Sequence, residues 1–161
     1  MKLGTAILRA ENIYKRYDQI EILRGIDLTL AAGEWLAILG ESGSGKSTLL
    51  SILGRFKDAS EGTVYFDEVA LAPVSHALIP GHESIRLIHQ EFELFPNQTV
   101  FENIAYSLRF YDLDYRNEQV EYLLEMTGLA HLQHKKSKLL SGGEKQRTAI
   151  AKALAEQPAV L

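Results

Sequence analysis

The chain has no cysteine, one tryptophan and four prolines in 161 residues, and no apolar run of membrane-spanning length. Without cysteine there is neither a disulfide framework nor a thiolate metal site, and the composition is compatible with a reducing compartment. The start, Met1 to Tyr17, is interrupted by Arg9 and Glu11 and does not read as a secretory signal. The longest apolar stretches fall well short of a bilayer span. Positive charge is also in short supply. The formal net charge of −4 argues against a broad nucleic-acid or anionic-membrane surface, so no nucleic-acid partner is expected. With 46% hydrophobic and 24% charged residues the chain has the composition of one globular domain, and its expected location is the cytoplasm.

Alternation marks the first third as β: Ala6 to Tyr14 and Gly25 to Leu30 each alternate apolar and polar residues. Ala31 to Glu34 reads as a turn. Trp35 to Leu39 is apolar on successive positions, which predicts a strand buried on both faces of a sheet. Ser47 to Arg55 has helical spacing, Asp58 to Gly62 reads as a turn, and Thr63 to Asp67 as another strand. Leu71 to Ser84 holds two of the prolines and is expected to be a surface loop, and Ile85 to Gln90 a short strand. Beyond Glu91 the pattern is helical. Thr99 with Glu102, and Ser141 with Glu144, have the spacing of capping boxes. Between them a helix is predicted over Asn117 to Thr127, stopped by Gly128, and the last helix runs to Ala155 before Pro158. The order strand, loop, helix, strand predicts a parallel α/β sheet, with residues 91–140 forming a helical insert in a single domain spanning 1–161.

Between the expected buried strand and the first helix lies Gly40-Glu41-Ser42-Gly43-Ser44-Gly45-Lys46-Ser47-Thr48. Glycine is costly to order, so packing alone gives little reason to place three there. The spacing G-x-x-x-x-G-K-[ST], in that strand–helix setting, is a phosphate-binding loop. Backbone amides of residues 42–48 can form a nest for the β- and γ-phosphates of a nucleotide, and the helix adds its positive end. Gly43 and Gly45 let the backbone take positive φ and approach closely. Lys46 supplies a point charge for the β/γ oxygens. The Ser47 hydroxyl can ligate Mg²⁺, a hard ion that prefers oxygen, and Thr48 serves the α-phosphate or its own helix.

A second unusual stretch is Leu140-Ser141-Gly142-Gly143-Glu144. Two glycines after a serine N-cap leave a helix start bare of side chains, open to an anion. Alone, an ordinary capped helix explains it as well.

With both stretches present, the chain resembles the nucleotide-binding subunit of ATP-binding-cassette (ABC) transporters, over nearly its whole length. That family pairs the glycine-rich loop with an LSGGQ-type signature, matched here by residues 140–144 with Glu144 in place of glutamine. The resemblance implies a P-loop NTPase fold of class α/β, with an N-terminal antiparallel β subdomain and a helical insert. It implies ATP and Mg²⁺ as ligands, with Gln90 at the position of the glutamine that touches Mg²⁺ and senses the membrane partner. Tyr17 falls where the family stacks an aromatic on adenine. Gln90 could otherwise be a solvated strand end and Tyr17 an ordinary strand tyrosine. Phe92, Leu94 and Phe95 form an apolar cluster that is either a local core or the contact to a transmembrane subunit.

The same resemblance implies a head-to-tail homo- or heterodimer of such subunits in which Ser141, Gly142 and Gly143 of one copy cap the nucleotide held by residues 40–48 of the other. Transmembrane permease subunits would hold the pair at the inner face of the membrane. It further implies import of small polar solutes or ions. Non-transport relatives with long coiled-coil insertions do not fit, since only 95 positions separate Lys46 from Ser141; a translation-factor type remains as the alternative. The family places its Mg²⁺-holding Asp and catalytic Glu at the end of an apolar strand after the signature helix. Pro158 to Leu161 matches only that strand's beginning. On this resemblance the C-terminal part of the core and both carboxylates lie beyond Leu161, and residues 1–161 alone bind nucleotide weakly and hydrolyse little or none. Glu91 and Glu93 are offset from the catalytic positions and are not assigned to them.

Overall fold

The computed structural model describes residues 6–161. Two compact units are present, one running to Ile85 and including Val160, the other spanning Arg86 to Ala159 with Leu161.

The first unit is built on an antiparallel sheet of order β2-β1-β3-β4, with β1 Ala6–Tyr17, β2 Ile20–Ala31, β3 Glu61–Phe66 and β4 Val69–Ala70. The alternation along β1 explains its burial. Leu8 and Ala10 face inward two residues apart, and the next inward residue is Ile13, three further on. The extra residue is absorbed at Asn12, whose φ of 50° sits where the pairing with β2 and β3 shifts register. Gly62 of β3 passes so close that a Cβ there would lie 2.2 Å from the Asn12 carbonyl oxygen. Helix α1, Lys46–Leu53, presents Leu49, Ile52 and Leu53 on one face, and these close the core with Leu8, Ala10, Ile13, Leu23, Val64 and Ile85.

The expected parallel strands are where the structure corrects the sequence. Residues 35–39 form no strand, and Trp35 and Leu39 are 97% and 89% exposed. Residues 86–90 form none either; among the described residues parallel pairing is confined to a single bridge between Ile85 and Val160. An apolar inner strand exists only when neighbours supply its hydrogen-bond ladder on both sides. Among the described residues no strand runs beside 35–39. The α/β class, with its antiparallel β part, its loop-and-helix core and its helical segment, is otherwise as expected.

In the second unit α2 Val100–Ala105, α3 Leu113–Met126 and α4 Gly142–Leu154 enclose Val100, Ile104, Leu108, Val120, Leu123, Leu124, Leu129, Leu140, Ala151 and Ala155. Helix α3 starts four residues before the expected Asn117, because Asp112 caps it by accepting the Asp114 N–H at 2.9 Å. Both predicted capping boxes are present, Thr99 with Glu102 and Ser141 with Glu144.

One buried polar residue organises this unit. Asn103 is fully buried on α2. Its Oδ1 accepts the Phe95 N–H at 2.8 Å, and its Nδ2 reaches the Phe95 and Thr99 carbonyls and the Ser137 hydroxyl, the last at 2.7 Å. Backbone bonds from Ser137 N to Gln98 O and from Lys138 N to Pro96 O, at 2.9 and 3.0 Å, run alongside. Residues 95–99 are thereby sewn to residues 135–138, which lead into Leu140. Asn103→Ala is expected to lower the unfolding free energy of this unit by about 3 kcal/mol, since several buried partners lose their bonds at once. Urea denaturation monitored by circular dichroism measures the loss.

Candidate functional site: a phosphate-binding loop

The glycine-rich stretch forms an exposed arch into α1. Gly43 and Gly45 take φ of 83° and 91°, the backbone state for which glycine was expected. Gly45 also lies against β2: a Cβ would meet Ile22 Cγ2 and Leu23 Cδ2, both at 2.9 Å. The Lys46 ammonium is folded back over the arch. It donates to the carbonyls of Gly40 at 2.9 Å and Glu41 at 2.6 Å, with Ser44 Oγ at 3.4 Å. Ser44 N–H donates to the Glu41 carbonyl at 3.2 Å. A cation held by neutral carbonyl and hydroxyl oxygens is poised to exchange them for phosphate oxygens.

Helix termini sharpen the point. Helices α2, α3 and α4 each begin with a side-chain cap, from Thr99, Asp112 and Ser141. Helix α1 has none, and no acidic residue in its first turn. Its first intrahelical donor is Leu49 N–H, to Gly45 O at 2.8 Å, so the amides of Lys46, Ser47 and Thr48 have no helical partner. An uncapped helix start beneath a glycine arch and a lysine is built for an external anion.

Tyr17, at the end of β1 in the same unit, is 43% exposed. Lys57 Nζ lies 3.3 Å from its hydroxyl, and Lys15 Nζ 5.2 Å from its ring centre. Lys15 pairs with Leu23, the residue against which Gly45 packs. The Ser47 hydroxyl is a hard oxygen of the kind Mg²⁺ prefers. It is a single neutral oxygen donor, and no group of three His, Cys, Asp or Glu suited to a metal occurs among the described residues.

Gln90 and the 140–144 stretch belong to the second unit. Gln90 is exposed in a turn closed by Phe92 N–H to His89 O at 2.9 Å, rather than at a strand end. Phe92 and Glu93 follow with φ of 64° and 44°. Lys152 of α4 holds this turn, donating to Glu93 O at 3.0 Å with its ammonium 4.8 Å from the Phe95 ring centre. Burial lowers the Lys152 pKa, and Glu93 opposes the shift. A small cavity of about 120 Å³ lies here, lined by His89, Phe92, Glu93, Ser107 and Lys152 among others. Neither Lys152 nor Asn103 was evident from the sequence, where each reads as an ordinary polar position on an amphipathic helix.

At the start of α4 the Glu144 carboxylate accepts the Ser141 N–H at 2.8 Å, and the Ser141 hydroxyl accepts the Glu144 N–H at 3.3 Å. Nothing lies within 4 Å of where a Gly142 side chain would be, and only Arg147 Nη1, at 4.0 Å, near Gly143. Amide donation from Ser141 is the first cause holding the Glu144 pKa below its ordinary 4.5, and Thr99 acts likewise on Glu102. A lowered carboxylate contributes stability above its unfolded value that is lost as pH falls through the folded value. Amide protection at the starts of α2 and α4, taken relative to the intrinsic exchange rate at each pH, is therefore expected to fall below pH 4.5 while the interior of α3 stays protected.

An uncapped helix under a glycine arch, carrying lysine and serine at its head, defines a P-loop nucleotide-binding protein. Residues 23–161 match the family described as ABC transporter. The lipoprotein-releasing system ATP-binding protein LolD of Acinetobacter baylyi is 38% identical over 99% of this chain and 74% of its own length. This chain belongs to the ABC transporter family. The spermidine/putrescine import ATP-binding protein PotA of Clostridium novyi is 37% identical over 96% of the chain but only 44% of its own length, so the chain spans less than half of such relatives. Among solved structures, cbiO1 of Clostridium perfringens, part of the ABC transporter complex cbiONQ, superposes with a TM-score of 0.82 at 30% identity, covering 96% of this chain and 63% of that one. The cassette MJ0796, solved as a dimer bound to ADP and Pi, gives 0.80 at 32% identity, with 94% and 70% covered.

Proposed function

We propose that this chain is the ATP-binding portion of an ABC importer subunit, taking MgATP at residues 40–48 and coupling its binding and hydrolysis to solute movement through permease partners. The uncapped start of α1 under the Lys46 arch carries the reading, because it offers amides without a side-chain cap and an ammonium held only by neutral oxygens of the arch among the described residues. Lys46 and the amides of 46–48 would hold the β- and γ-phosphates, Ser47 would ligate Mg²⁺, and Tyr17 would stack on the adenine. Bound Mg²⁺ supplies charge neutralisation at the γ-phosphate. Ser141, Gly142 and Gly143 would act on the nucleotide of a second copy in a two-fold, head-to-tail pair, with residues 91–140 as the helical subdomain. No helix among the described residues is long and apolar enough to cross a membrane, and we place the subunit at the inner face of the membrane through its permease partners. Importers for polyamines and for sulfate/thiosulfate among its relatives support a small charged solute as cargo.

The test is displacement of a fluorescent ATP analogue from the chain. ATP and ADP are expected to compete, AMP to fail, and Mg²⁺ to tighten ATP. Equal competition by AMP would show that the loop does not read the β-phosphate and would reject the assignment.

A further inference from the structure

Glu144 poses an electrostatic problem at the start of α4. If two bare glycine amides there meet the phosphates of a second copy's nucleotide, a carboxylate in the same first turn opposes them. The structure places a cation against that carboxylate. Lys135 Nζ lies 3.5 Å from Glu144 Oε2, the same oxygen that accepts the Ser141 N–H. Its backbone is fixed on both sides, Lys135 N–H bonding to Leu132 O at 2.8 Å and Val100 N–H to Lys135 O at 3.0 Å. The neighbouring Lys138 is turned elsewhere, its Nζ bonding to Asn97 Oδ1 at 3.1 Å.

We propose that Lys135 is the counter-charge to Glu144, a positioning residue that cancels the carboxylate's repulsion and keeps it on the Ser141 amide, so that the Gly142–Gly143 turn can accept a polyphosphate. The proposal rests on the reading that residues 141–143 act on the nucleotide of a second copy. It assigns a role to a residue outside the 140–144 stretch and accounts for how an acidic signature position is tolerated.

The experiment measures ATP-driven pairing of the full-length chain by sedimentation velocity, with Mg²⁺ omitted to prevent hydrolysis. Lys135→Ala is expected to raise the ATP concentration needed for half-pairing about fivefold, and Lys135→Arg to leave it within about twofold. Glu144→Gln alone is expected to lower it about threefold, and Glu144→Gln added to Lys135→Ala to return it to within about twofold of the parent. These differences shrink in 0.5 M salt, since the pair is partly exposed. Urea midpoints of the four variants serve as the folding control.

Failure of Glu144→Gln to rescue Lys135→Ala would mean that Lys135 acts through the fold and would overturn the proposal. No change with Lys135→Ala overturns it as well. Gly142→Asp separates this from the reading beneath it, because that site has room for a side chain and an acidic residue suits a helix start. Pairing that survives Gly142→Asp, or a parent that never pairs, rejects the action on a second copy and the proposal with it. Pairing lost in Gly142→Asp but unmoved by Lys135→Ala rejects the proposal alone.

Discussion

Lys46→Ala is expected to weaken binding of a fluorescent ATP analogue by at least about a hundredfold. Two losses combine. The ammonium reaches across the arch, where it holds the carbonyls of Gly40 and Glu41 and the Ser44 hydroxyl. Removing it deletes the charge that would face the β/γ oxygens, and charged hydrogen bonds of this kind contribute about 1.5–3 kcal/mol each. It also frees the arch, so that residues 40–44 must be ordered when nucleotide arrives, at about 1 kcal/mol per residue fixed. Lys46 is partly exposed and its aliphatic stem contributes little to the core of Leu49, Ile52 and Leu53. The variant is therefore expected to keep its urea midpoint while losing its ligand. Equal affinity in the two proteins would remove the loop from the binding site.

The second large effect belongs to Gly62→Ala. The added Cβ would lie 2.2 Å from Asn12 O and 2.5 Å from Glu11 O, on a residue whose φ is 95°. Backbone atoms cannot rotate aside as a lysine tip can, so either β3 lifts from β1 or the turn at Asn12 opens. Each route costs pairing on both sides of the bulge, where β1 is bonded to β2 and to β3. The expected loss is about 3 kcal/mol or more of unfolding free energy in the first unit. Thermal or urea unfolding detects it. Since Leu49, Ile52 and Leu53 of α1 pack on this sheet, nucleotide affinity is expected to fall with it. An unchanged midpoint would show that β1 and β3 are not in the register seen here.

What the sequence disclosed and what it hid divide along the range of the interaction. The arch was legible because its geometry dictates residue types within nine positions: Gly43 and Gly45 take the positive φ expected of them, and Lys46 stands at the head of the helix that follows. The capping boxes were legible for the same reason, Thr99 and Glu102 being three residues apart and bonded to each other. Strand formation at 35–39 was not, because an apolar run states a preference but its ladder must come from residues far along the chain. The bulge at Asn12 was hidden in an alternation that reads as regular until the jump from Ala10 to Ile13. Asn103 reads as a polar residue on a short helix, and only the folded chain reveals that residues 95–99 and 137 converge on it. Lys135 stands nine positions before Glu144, in a segment of three lysines, and no local pattern distinguishes it from Lys136 or Lys138.

The seam at Asn103 has a mechanical consequence. Because one amide side chain grips Phe95, Thr99 and Ser137 together, the loop that follows Gln90 is tied to the 3₁₀ turn Ser137–Leu139 that leads into Leu140. A displacement at Phe95 or Pro96 is therefore expected to carry to Ser137 and Lys138, a few residues ahead of the glycine pair that opens α4. The seam thus gives residues 92–96 and the start of α4 one shared anchor instead of two separate ones.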